Sequence, residues 1–156
     1  MDKNNPPASF GVFKPVGHTV IAFRTAAHAQ AAVSALLAQG FANEAVVRYT
    51  PEEMTAQVDA QEQAASPLAS IGQELNLIKA HRALAQSGCS FLVVHAPEDE
   101  QAERVAALAR TMKAVAAQRY GRFLIEELIE LPAGETQVFE SPDRGLDLDV
   151  PGVERR

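Results

Sequence analysis

Two histidines set the chemical question in this chain. His18 opens one short apolar run, residues 19–23, and His95 closes another, residues 90–95. Two imidazoles joined by a carboxylate can ligate zinc or a similar ion, or can share a proton during catalysis. Glu127, followed by Glu130, lies in a third apolar run, residues 123–131, and is the carboxylate expected near the pair. No HxH, HExxH or CxxC spacing accompanies these residues, so the fold itself would have to assemble such a site. A second candidate is Glu74 and His81, seven apart and therefore on one helix face two turns apart, with Lys79 beside them. They would line a ligand pocket or an interface. The plainer alternative for both groups is solvated or locally hydrogen-bonded side chains.

Other reactive types carry weaker signals. Arg24, Arg48 and Arg122 would fall at the opposite end of a shared sheet, where an anion site is conceivable and three solvated arginines are the commoner outcome. Cys89 has no basic neighbour in sequence and reads as a small buried thiol rather than a nucleophile. No serine sits in a GxSxG turn, and no glycine-rich phosphate loop is present.

For His18 to meet His95, two strands must lie side by side. Residues 20–49 read strand, amphipathic helix, strand, and residues 91–131 read the same way again. Two such units interleave as a ferredoxin-like split βαβ sandwich, an α+β fold with a four-stranded antiparallel sheet. In that order the strands at 19–23 and 90–95 are antiparallel neighbours. The start of one meets the end of the other.

Capping chemistry sets the boundaries. Thr25 caps a helix with the stripe Ala29, Val33, Leu36 and Leu37, and Gly40 ends it in the left-handed region. The second strand is 45–49. Thr50-Pro51-Glu52-Glu53 is a capping box with proline at the first helical position. The polar helix after it is expected to be largely solvated. Ser66-Pro67 starts another helix, with Leu68, Ile71, Leu75 and Ile78 spaced by three and four. Residues 51–87 thus form a helical insertion between strands two and three. Pro97 and Glu98-Asp99-Glu100 open the next helix, whose stripe Val105, Leu108, Met112 and Val115 runs toward Gly121. The fourth strand is 123–131, its alternation broken at Glu126-Glu127 as at a β-bulge or exposed edge. Residues 1–17 read as a flexible arm, 18–131 as one domain and 132–156 as a flexible tail.

The strands at 19–23 and 90–95 are apolar in both alternating sets, whereas the two repeat helices cover one sheet face only. Each Val or Leu left wet forfeits about 1.5–3 kcal/mol. The insertion must fold back, or a second copy must supply the cover; the expectation is a homodimer sharing sheet faces or inserted helices.

With 47% hydrophobic residues, 156 residues can bury a core as one domain. The 14 basic against 20 acidic residues, net charge −6, oppose binding to nucleic acid or an anionic membrane. A single cysteine fits a reducing compartment, and neither a signal-peptide order nor an apolar run near the roughly 20 residues of a membrane span is present. A cytoplasmic location is expected.

The run VIAFRTAAHAQAAVSALLAQGFANEAVVRYT, with its Leu36-Leu37-Ala38-Gln39-Gly40-Phe41 helix end, resembles the strand–helix–strand of the bacterial general-stress-protein family. The stretch SPLASIGQELNLIKAHRALAQSG followed by FLVVHAPED is similar to small bacterial proteins with the same opening. The resemblance implies fold and a stress context, and carries no catalytic residue or cofactor. The resulting expectation is a non-enzymatic, stress-associated binding or regulatory module acting as a homodimer on a small molecule or a protein. Its alternative is a small enzyme of the dimeric α+β-barrel kind, or a metal-dependent one, using His18 and His95.

Overall fold

A computed structural model of the chain describes residues 3, 8–9, 12–13, 15–64, 73–121 and 125–129. Its elements in order are β1 (Ala8–Ser9), β2 (Val12–Phe13), β3 (His18–Phe23), α1 (Ala26–Ala38), β4 (Val46–Tyr49), α2 (Pro51–Ala64), α3 (Gln73–Gln86), β5 (Ser90–His95), α4 (Asp99–Thr111), β6 (Ala116–Tyr120) and β7 (Ile125–Ile129). β1 and β2 pair with each other, and β2 lies against α2. Residues 132–156, the expected tail, lie outside the described residues.

The helix starts follow the capping chemistry. Thr25 Oγ1 accepts the His28 amide at 3.1 Å. At the next start the Thr50 amide donates to Glu53 Oε1 at 2.9 Å while the Glu53 amide donates to Thr50 Oγ1 at 3.0 Å, a reciprocal capping box. Glu98 and Gln101 form a second box at the head of α4. Gly40 and Gly88, with φ of +101° and +98°, turn the chain out of α1 and α3 where a Cβ would be strained.

The fold is α+β, built on an open antiparallel sheet of five strands in the order β4-β5-β3-β6-β7. This corrects the expected count of four. The residues expected to finish the helix before Gly121 instead leave α4 at Thr111, turn through Lys113 at φ +58°, and enter β6. Val115, expected on the helix stripe, donates its amide to Ala22 O at 2.9 Å, so it already joins the sheet. β6 fills the position beside β3, and β7 is added outside it as a fifth strand. The register between β6 and β7 shifts from Gln118↔Glu127 to Ala117↔Ile129, leaving Leu128 as an extra residue. The bulge therefore falls just after the Glu126-Glu127 pair, which stays exposed on the edge strand.

β3 and β5 are buried on both sides. Ile21, Phe23, Leu92 and Val94 face α1 and α4 and pack with Ala29, Leu36, Val105 and Ala109. Val20, Ala22, Phe91 and Val93 face α2 and α3 and pack with Met54, Val58, Leu77, Ile78 and Leu84. The insertion thus covers the second face in cis. α2 is held through buried Met54 and Val58 despite its polar sequence, so it is not the solvated helix expected. Arg82 donates to Asp59 at 2.7 Å and links α3 to α2. The insertion supplies the cover for which a second copy was considered. Leu37, expected on the α1 stripe, is one of the exposed large apolar residues; Ala32 takes its place inward. Leu68, Ile71 and the side chain of Leu75 lie outside the described residues.

If α3 is integral to this core, Leu84→Ala should cost about 2–5 kcal/mol in denaturant unfolding, the range for a buried leucine truncation. A cost below about 1 kcal/mol would place α3 off the sheet.

Candidate functional site

The register puts His18 directly opposite His95 on β3 and β5, with Tyr120 of β6 on the other flank of His18. The imidazoles meet edge to face with centroids 4.7 Å apart. His18 is buried, whereas His95 is exposed. His18 Nδ1 lies 3.1 Å from Val16 O; a carbonyl only accepts, so Nδ1 carries the proton. Its Nε2 is then a bare lone pair, buried and without a partner among the described residues. Burial, and secondarily the nearness of His95, lowers the His18 pKa, which keeps the ring neutral.

Glu127 does not join this pair. It faces Gln118 across the β6–β7 hairpin, and Gln118 Nε2 donates to Glu127 Oε1 at 3.2 Å. Gln118 Oε1 in turn lies 3.0 Å from His81 Nε2. Glu127, ionised, only accepts, so the amide NH2 must turn toward it and the amide oxygen toward α3. His81 Nε2 must therefore be the protonated nitrogen. A one-way chain runs from the buried His81 through the buried Gln118 to the exposed Glu127, with Phe91 edge-on to His81 at 5.8 Å. It ties the insertion to the sheet through polar atoms that burial would otherwise leave costly by about 1–3 kcal/mol each.

The remaining expected site residues scatter. Lys79 is exposed while His81 is in the core, so they do not share a pocket wall. The side chain of Glu74, and residues Arg122 and Glu130, lie outside the described residues. Arg24, just past the end of β3, and Arg48 on β4 are both exposed, and β5 lies between those two strands. Cys89 is a buried thiol with Ser87 Oγ 3.7 Å from its sulfur. Among the described residues no cluster of three or more His, Cys, Asp or Glu side chains is placed to hold a metal ion.

On the opposite face of the same hairpin lies a feature the sequence did not reveal. α4 stands over β3, β6 and β7, and an open groove of about 430 Å³ lies between it and the β6–β7 hairpin. Its apolar lining is Ala102, Ala106 and Leu128; its charged lining is Glu103, Arg110, Arg119 and Glu126. Arg119 donates to Asp99 at 2.7 Å and to Pro97 O at 3.3 Å, and Asp99 is almost fully exposed. Arg110 is exposed in the last turn of α4. The only sequence hint was small or charged residues at 102, 106 and 110, one face of a helix; the partner face came from the unrecognised β6. A second groove of about 360 Å³, between α1 and α4, is mostly apolar, and its Arg104 is held by Gln39 O at 2.7 Å.

Burial lowers the pKa of His81, and the Gln118 bond opposes this only in part. A depressed imidazole pKa means the unfolded chain binds more protons below its ordinary value of 6.5. The stability contribution is intact above that pH and is lost as pH falls through the folded-state value, at no more than about 1.4 kcal/mol per pH unit from this group. His81→Gln should therefore flatten the fall in unfolding free energy below the ordinary histidine pKa, read by denaturant titration across pH. An unchanged slope would mean His81 is solvated. Comparison with family models, curated proteins and solved structures finds no match for the chain.

Proposed function

We propose that this chain is a non-enzymatic binding or regulatory module whose core is a ferredoxin-like sandwich with an appended edge strand, and whose ligand occupies the groove between α4 and the β6–β7 hairpin. The strand order supports the first part. Reading outward from β4, the neighbours are the second, third and first strands of the split βαβ order, then β6 as the fourth, with β7 outside. The groove is the observation that carries the second part. At about 430 Å³ it falls in the range of small-molecule sites.

Its chemistry favours a small zwitterion, such as a free amino acid or a short peptide. Arg110 and Arg119 present guanidinium groups to a carboxylate, and Glu103 and Glu126 present carboxylates to an ammonium group, over an alanine and leucine floor. Arg119 and Glu126 are directly paired in register, so opposite charges stand side by side at the groove wall. Asp99 would exchange its Arg119 contact for that of the ligand. One chain supplies all of these residues, so a second copy is not needed to complete the site. The resemblance of residues 20–50 to general-stress proteins supports a stress context for such a module.

A thermal-shift panel of amino acids and short peptides tests this reading, because a ligand bound only by the folded state raises the melting temperature. The expected result is stabilisation by a zwitterion that is lost when its amine is acetylated or its carboxylate amidated. Arg110→Ala should weaken binding at least about tenfold, the loss of roughly 1.4 kcal/mol. No stabilisation across the panel, or binding indifferent to Arg110→Ala, would refute it.

A further inference from the structure

The His18–His95 pair stands apart from the groove and from the His81 chain, and neither explains it. Its geometry resembles half of a metal site in three respects. His18 donates from Nδ1 to a backbone carbonyl, the outer contact that fixes tautomer and ring orientation in metal-binding histidines. The nitrogen left over is an unprotonated, buried lone pair with no partner among the described residues. His95, directly opposite, is exposed and so lies open to solutes in water.

Distance agrees as well. Two imidazole nitrogens at about 2.0–2.1 Å from one ion place the ring centres about 3.2 Å from it, hence about 4.5–5.2 Å apart at bond angles of roughly 90–110°. The 4.7 Å between the His18 and His95 centroids falls inside that span. An edge-to-face ring contact also tolerates this distance. What separates the two explanations is the buried Nε2, which a ring contact alone leaves unpartnered at a cost of about 1–3 kcal/mol.

We propose that His18 and His95 form a two-imidazole site for a borderline first-row divalent ion such as copper, nickel or zinc, with water in the other coordination positions. The ligand set is nitrogen from neutral imidazole, which suits these ions and not calcium or magnesium. Glu127 is not part of the site, being held by Gln118 on the far side of β6.

The test is calorimetric titration of the tag-free, chelator-treated full chain with nickel or zinc chloride, alongside NMR of the histidine rings with zinc. One ion should bind per chain, with the ring signals of both His18 and His95 shifting. His95→Ala alters an exposed side chain, so the fold should survive and affinity should drop at least about tenfold. His28→Ala, an exposed histidine on α1, should bind as the unmodified chain does. Absence of binding, binding unchanged by His95→Ala, or binding that leaves the His18 ring signals in place would each overturn the proposal.

Discussion

The structure depends on one constraint: β3 and β5 are apolar on both faces, and each face must be kept from water. Ile21 and Leu92 on one side and Val20 and Val93 on the other are essentially inaccessible. A single layer of helices cannot achieve this, because α1 and α4 reach one side only. The insertion is therefore not an ornament. α2 and α3 close the second core, and the chain becomes three layers with the sheet in the middle. Each buried Val, Leu or Phe contributes about 1.5–3 kcal/mol toward that arrangement.

Among the polar groups that enter this apolar frame on the insertion side, the His81–Gln118 pair and His18 are organised differently. His81 and Gln118 are buried in a fully directed chain that ends on an exposed carboxylate. His18 has only one of its two nitrogens satisfied among the described residues. The first is a structural bond between insertion and sheet. The second leaves an unprotonated nitrogen without a partner among the described residues, beside an exposed imidazole. The β6–β7 hairpin sorts chemistry between faces, since strand alternation sends Gln118 and Glu127 toward α3 and their neighbours Arg119 and Glu126 toward the groove by α4.

Much of this was legible in the residues. Thr25, Thr50-Pro51 and Gly88 marked helix ends through ordinary capping chemistry, and the doubly apolar strands foretold two covering layers. Pairing His18 with His95 followed from antiparallel adjacency alone. What failed was β6. Ala114, Ala116 and Ala117 are strong helix formers and follow a helix without a glycine or proline to stop it, so the segment read as helix. The break came at Lys113, in a left-handed conformation that a lysine does not announce. Missing β6 misplaced Glu127 beside the histidines, and hid Gln118, Arg119 and the whole groove. The choice between cis and trans covering was likewise invisible, because the stripe on α3 is the same whichever sheet it meets.

The covering of both sheet faces within one chain is most directly tested by native-state hydrogen exchange of the β3 and β5 amides at two widely separated protein concentrations. The account predicts that these amides exchange only through global unfolding, with protection that does not depend on concentration. Protection that rises with concentration would show that a second copy supplies the cover, and would contradict it.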